Sequence, residues 1–599
     1  EGTDIYWARS RVLEYLAKVN SQLPAGVKVD LGPDATGVGW VFEYALVDPT
    51  GKHSLQELTT FQNWHLKYAL QSVKGVSEVA TIGGMTKQYQ IQVNPETLLS
   101  HKLSITDVVK ALQASNQSMG ARLLEMSGKE HMVTVGGYIG SRDDIEQIVL
   151  RSNDSGVAIR IRDVARVQLG PDMRRGVAEL DGRGEVVGGV VVMRNKENAL
   201  QVIDRVKERI KTIQLPPGVK VQVTYDRSEL IKAAIHTLQK ELVQQILIVS
   251  LVIFIFLAHF PSALIPIITL PIAVLLSFIP MFFLKVTSNV MSLGGIAIAI
   301  GVMVDASIVI IENTHKRLSE WQEGGEKAPK QEVLLRAIKE VGRPAFFSLL
   351  VVCVAFLPIF TLTGVEGRLF TPLAITKTLA MLFAAILAIT LGPALILMIF
   401  TRTQAFSFRS KRLTYLANTL FIGTIHAEKN HPLSRRLIAL YEPIVRRVLE
   451  KPLKIIFIAT IAFGITMPLF LFLGSEFMPP LNEGSILYMP TTPPGISIQE
   501  ATRLLHAQDR ILKSFPEVES VFGKAGRAET ATDPAPFSMM ETVVVLKPQN
   551  QWPRQSRWYS EFAPFLAPRI SWDELIKQMN ESLMLPGQVN SWTMPIKAR

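Results

Sequence analysis

Six mostly apolar runs, at roughly 240–258, 262–284, 289–311, 344–363, 372–400 and 453–473, each reach the length of about 20 residues that a helix needs to cross a bilayer. The first five are clustered and the sixth stands apart. A chain of 599 residues with 48% hydrophobic and 19% charged residues is too long for one domain and too apolar for an ordinary soluble protein. It starts at Glu1 and stops in the polar string IKAR with no signal peptide visible, so the expectation is an internal fragment of a polytopic membrane protein.

The loops between the runs orient them. The 312–343 connection carries Lys316, Arg317, Lys327, Lys330, Arg336, Lys339 and Arg343, and the 402–454 connection is richer still in Lys and Arg, whereas LKVTSN and TGVEGRLF carry one each. Cytoplasmic loops are the positively charged ones. That places both basic loops inside and the long flanking regions outside. The expected domains are therefore 1–239 outside, 240–401 with five spans, 402–452 as a basic cytoplasmic loop, 453–473 as a sixth span, and 474–599 as the start of a second outside region. Much of the net charge of +11 sits in those loops and calls for no nucleic acid.

The outside regions repeat themselves. RSRVLEYLAKVNSQLPAGVKVDLGPD (9–34) and VIDRVKERIKTIQLPPGVKVQVTYD (202–226) each read as an amphipathic helix, an LPxGVKV turn and an alternating strand. RLLHAQDRILKSFPEVESVFGKAG (503–526) is a looser third copy. VSEVATIGG, KQYQIQVNP and SITDVVKALQAS add a strand, a strand and a helix. Helices returning onto strands in this way predict α+β sandwiches of ferredoxin-like, split βαβ modules.

Carboxylates inside the third run need a reason. In SLGGIAIAIGVMVDASIVIIEN, Asp305 and Glu312 are seven residues apart, which at 3.6 residues per turn puts them on one helix face about 10 Å apart. An ionised carboxylate in hydrocarbon costs roughly 2.5–3.5 kcal/mol on insertion scales, so such residues usually mark ion or proton pathways. Asp305 is the candidate proton relay. Glu312 is a second candidate, weighed against the plainer reading of an interfacial residue beside Asn313, His315 and Lys316. Lys377 is the other intramembrane charge, either a relay partner of Asp305 or a side chain that snorkels to the interface.

One cysteine, Cys353, excludes an intrachain disulfide and every CxxC site. GxxxxGK[ST], HExxH and GxSxG are also missing, which removes most support for an ATP-driven pump or a hydrolase. Soft-metal chemistry would fall to the 19 methionines or 10 histidines.

The strings SLGGIAIAIGVMVDASIVIIENTHKR, YWARSRVLEYL, LGPDATGVGW, GPDMRRGVAEL, GSEFMPPLNEGSILYMP and KAGRAETATDPAP resemble the resistance–nodulation–division (RND) superfamily, and more narrowly its heavy-metal branch that exports copper(I) and silver(I). The resemblance runs over essentially the whole chain. It implies the RND transporter fold and a proton-driven, homotrimeric metal/proton antiporter in the inner membrane of a Gram-negative bacterium, joined to a periplasmic adaptor and an outer-membrane channel. It also implies a twelve-span protein of which this chain is the central part, and no permanently bound cofactor, the metal being cargo.

Residue by residue, Asp305 followed by Ala306 matches the single-carboxylate pattern of the metal branch. Met489 and Met539 match two of the family's three metal-site methionines, and the third position would lie past Arg599. Met540 and Met594 match no family position. Met173, Met291, Met303 and Met381 fall near places where the family passes metal between thioethers, although Ile310 stands where a methionine is expected. For all these methionines the plainer reading is core packing. An exporter of divalent metals, with Glu483 and Asp533 as hard ligands, an exporter of organic compounds, and a non-transporting scaffold are the alternatives.

Overall fold

The computed structural model describes residues 3–24, 26–27, 29–152, 156–257, 259–287, 289–324, 328–401, 432–472, 474, 484–554 and 568–595. The 402–431 part of the expected basic loop and Glu483 lie outside them. The chain divides into two compact units, one formed by Glu1–Ser228 with Pro480–Arg599 and the other by Glu229–Pro479. The two regions read from sequence as lying outside the membrane thus build one body.

That body is organised on an antiparallel sheet of nine strands. Along its path run Lys220–Asp226, Trp40–Val47, Glu185–Met193, Gly176–Leu180, Val518–Gly526, Met540–Leu546, Ser485–Tyr488 and Trp592–Thr593, with Val76–Gly83 attached to Glu185–Met193 off that path. The second repeat copy folds as its pattern dictates. Asn198 caps helix Ala199–Thr212 through Gln201 N, and Val202, Ile203 and Val206 on one face enter a core with Phe42, Tyr44 and Val191. Gly218, at φ 88, turns the LPPG segment into strand Lys220–Asp226, a backbone conformation that favours glycine. The third copy gives helix Ile498–Lys513 and strand Val518–Gly526.

The first copy departs from expectation. Its helix forms, Ile5–Asn20 with Asp4 as cap, but it buries no residue, and the described residues of the following VKVDLGPD, 27 and 29–34, form no strand. No sheet edge pairs with that segment among the described residues. It is held instead by side chains, Arg9 donating to Gly32 O at 2.8 Å and the Tyr6 hydroxyl to Asp34 at 3.0 Å. KQYQIQVNP becomes strand Lys87–Val93, paired with Ala165–Pro171, and SITDVVKALQAS becomes helix Ile105–Ser115, opened by a Ser104/Asp107 capping box.

In the second unit five helices among the described residues are long and apolar enough to cross a membrane: Pro261–Phe283, Val290–Glu323, Lys330–Thr361, Glu366–Ile389 and Pro452–Phe470. The first predicted span, 240–258, falls in the C-terminal part of helix Arg227–Leu257, which is not among the five. The run at 372–400 is broken. Thr390, at φ −116 and ψ −77, ends helix Gly364–Ile389, and Leu391–Phe400 follows as a separate short helix.

The central helix Val290–Glu323 packs chiefly on Gly364–Ile389 and Lys330–Ala355. Small residues permit the closest approach. A side chain at Gly295 would overlap Leu373 O and Thr376 Oγ1, while Thr376 Oγ1 donates across the interface to Ser292 O at 2.9 Å.

Candidate functional site

The two family-matched methionines meet across a strand pair. Ser485–Tyr488 runs antiparallel to Met540–Leu546 with Tyr488 opposite Thr542, and the bridge between Thr491 and Met539 continues the same register. Met489 therefore stands opposite Glu541, one diagonal from Met539, at a separation of about 7–8 Å between such positions. The strand period puts both side chains on one face of the sheet. Each is half-buried, and Met489 packs against Tyr225, Leu487 and Val543. The opposite face carries Ile486, Tyr488 and Val544 into a closed core.

A buried ion cluster adjoins this face. The Lys524 ammonium pairs with Asp533 and, at 3.0 Å, with Glu541, and it lies 5.2 Å from the centre of the Trp40 ring. Lys524 is opposite Glu541 in the ladder. Asp533 also accepts from Ala528 N at 2.8 Å, so its oxygens are engaged by protein donors. No group of three or more His, Cys, Asp or Glu residues placed to hold a metal occurs among the described residues.

The other methionines are distributed. Met173 is 73% exposed in a cleft of about 840 Å³ whose walls include Arg9, Asp34, Arg174, Arg527 and Glu529, and this cleft does not include Met489 or Met539. Burial pushes the Glu529 carboxyl above its ordinary pKa, with Lys67 opposing the shift. Met540 is fully buried with Val177, Leu504 and Ala525, as a packing residue would be. Met303 and Met381 share the buried core of the membrane unit, and Met291 is half-buried in the first turn of the central helix.

On that helix Ile298, Gly301, Asp305, Val309, Glu312 and Lys316 form one exposed stripe at spacings of three and four. Asp305 and Glu312 share it, as the periodicity predicts. The opposite face, with Ile296, Ile300, Met303 and Ile310, is buried. Lys377 is 6% exposed and stands 3.3 Å from the centre of the Phe356 ring. No ion pair joins it to Asp305 among the described residues.

Two arrangements escaped the sequence. One is the Lys524 cluster, whose members come together only through strand register. The other is a buried chain in which Ser262 Oγ lies 2.8 Å from both His259 Nδ1 and His315 Nε2, with Phe400 stacked on His259. A histidine at the border of each of two apolar runs was its only visible signal.

A multi-span helical unit whose flanking stretches together build a large α+β body is the architecture of the RND transporter fold. The model of the AcrB/AcrD/AcrF family matches residues 1–572, and the chain belongs to that family. Among its relatives, a putative cation efflux system protein, SilA of Salmonella typhimurium, is 47% identical over 607 residues, and the cation efflux system protein CusA of Escherichia coli K12 is 46% identical over 606. Each comparison covers 100% of this chain and 54% of the relative, so the chain spans about half the length of the curated relatives it matches. A crystal structure of a heavy metal efflux pump superposes with a TM-score of 0.78 at 28% identity, covering 100% of this chain and 54% of that one.

Proposed function

We propose that the protein containing this chain is a proton-driven exporter of copper(I) and silver(I). The carrying observation is the placement of Met489 and Met539 as diagonal neighbours on one half-buried sheet face. Thioethers are soft ligands suited to these ions and poor for hard divalent ones. A site of few thioethers also binds weakly enough to release its cargo. The relatives named for cation efflux support the same reading.

In this mechanism Met489 and Met539 hold the ion on the extramembrane sheet, while Asp305 takes up and releases a proton within the bilayer. Neutralising Asp305 changes which partners its face of the central helix prefers, and the packing of the bundle shifts with it. Glu312 and Lys316, on the same stripe, continue the polar track toward one end of the helix. Lys377 tunes the interior of the bundle from its seat on Phe356. Met173, Met291, Met303 and Met381 are secondary thioethers for passage of the ion. The working assembly is a homotrimer in the inner membrane of a Gram-negative cell, engaged with a periplasmic adaptor and an outer-membrane channel.

The test uses the full-length protein in proteoliposomes with a pH-sensitive dye inside. Silver(I) or copper(I) should evoke proton flux in the unsubstituted protein, and Asp305→Ala should abolish it. Met489→Leu with Met539→Leu, a nearly volume-conserving exchange, should abolish it as well. Flux indifferent to the methionine pair would remove the metal site, and absence of metal-evoked flux would overturn the reading.

A further inference from the structure

Helix Ile498–Lys513 lies over the seam where strand Gly176–Leu180 pairs with Val518–Gly526. Beneath it Glu179 and Asp509, 2% and 0% exposed, come within hydrogen-bonding reach of each other. Their outer oxygens are satisfied. Glu179 Oε1 accepts from Gly184 N at 3.1 Å and lies 2.7 Å from His506 Nδ1, and Asp509 Oδ1 accepts from the Thr542 hydroxyl at 3.1 Å. Glu179 Oε2 and Asp509 Oδ2 are fully buried with no donor. Gly523 closes the site from below, where any side chain would overlap Asp509.

Two carboxyl groups facing each other without a donor cannot both be ionised, since like charges at that range repel and burial strips them of water. Neighbouring cations do not relieve this. The Arg510 guanidinium donates to His506 Nε2 at 2.7 Å, leaving Nδ1–H to donate to Glu179. Lys513 is turned to Asp181 at 3.2 Å. On the sheet strands, Tyr488 lies close enough to feel the Asp509 charge but its hydroxyl donates to Asn590 Oδ1 at 2.6 Å, Lys524 and Glu541 are engaged with each other and Asp533, and Glu185 is paired with Arg174. Glu179 receives two N–H donors and Asp509 a single hydroxyl, so Asp509 is the member that keeps the proton.

We propose that Asp509 and Glu179 form a proton-binding site in the extramembrane unit: one proton, carried on Asp509 Oδ2 and donated to Glu179 Oε2, clasps helix Ile498–Lys513 to strand Gly176–Leu180, and its loss as pH rises opens the clasp. Burial, reinforced by the Glu179 charge, pushes the Asp509 carboxyl well above its ordinary range, and burial also raises Glu179. A raised carboxyl favours the folded state below its unfolded pKa of about 4, and that advantage is lost as pH climbs toward the folded value. The site is independent of the transport reading and stands or falls without it.

The test is amide hydrogen exchange on the full-length protein, corrected for intrinsic rates, over the whole pH range in which the protein stays folded, from mildly acidic to alkaline. Protection of residues 498–513 should fall by up to about tenfold per pH unit. Asp509→Asn, whose amide donates to Glu179 at every pH, should make protection flat, and so should Glu179→Gln. Unchanged protection in the unsubstituted protein, or the same slope in a folded Asp509→Asn protein, would overturn the proposal. Should both variants misfold, infrared difference spectra of the unsubstituted protein decide. A buried protonated-carboxyl band must disappear in step with the loss of protection, and a band that persists, or none at all, overturns the proposal.

Discussion

At the scale of single residues, the chemistry near the methionine face depends on a cation that no local pattern announced. Lys524 is the shared cation of Asp533 and Glu541, all three buried. Lys524→Met would leave two buried carboxylates without their partner, a loss of about 3–5 kcal/mol. A lower midpoint of chemical unfolding for the extramembrane unit is the expected result. A milder case is Asp48. The Thr50 hydroxyl and the His53 backbone N–H hold this carboxyl down to about 2. A depressed carboxyl supports the fold above its unfolded pKa of about 4 and ceases to do so as pH falls through the folded value. Acid titration should therefore show Asp48→Asn less sensitive than the unsubstituted protein between those limits, as followed by thermal midpoint. That Asp305 and Glu312 share one helix face was legible from sequence because helical periodicity is local, whereas the Lys524 cluster needed the pairing of strands, which turn lengths set over longer stretches.

At the scale of elements, close helix contact is the quantity to perturb. Gly295→Ala introduces a methyl group where Leu373 O and Thr376 Oγ1 already lie, while Gly294 has open space around it. Overpacking of this kind costs about 1–3 kcal/mol, so Gly295→Ala should lower the thermal midpoint in detergent and Gly294→Ala should leave it near the starting value. Ser104→Ala removes half of a capping box and should loosen helix Ile105–Ser115 by about 0.5–2 kcal/mol, visible as faster amide exchange in its first turn. The repeat plan was legible where each copy had a sheet edge to join. The first copy shows why pattern alone was insufficient: VKVDLGPD alternates as a strand should, yet among the described residues no strand pairs with it, and Gly32 O and the Asp34 carboxylate are held by Arg9 and Tyr6. The long run at 372–400 reads as continuous on its apolar composition alone, although the helix-breaking pair Gly392 and Pro393, in which Pro393 has no N–H to give the preceding turn, stands just after the backbone turn at Thr390.

At the scale of the whole molecule, two stretches separated by the entire membrane unit are fused through one strand pair. Leu180 lies opposite Phe522 and Gly176 opposite Gly526, and Asp181 N donates to Val521 O at 2.8 Å. The sequence placed both stretches on one side of the membrane but held no sign of this seam, since nothing local links residues so far apart. The seam also sets a timetable for biosynthesis. Strand Gly176–Leu180 is made early, yet its partner, beginning at Val518, follows only after residues 181–517, which at translation rates of about 5–20 residues per second takes on the order of twenty to seventy seconds. Through that interval one strand edge stands bare, the condition in which strands pair with the wrong neighbour. Closure of the extramembrane body is thus clocked by the ribosome and by membrane insertion, and a chain stalled between the two stretches would be a target for chaperones and proteases.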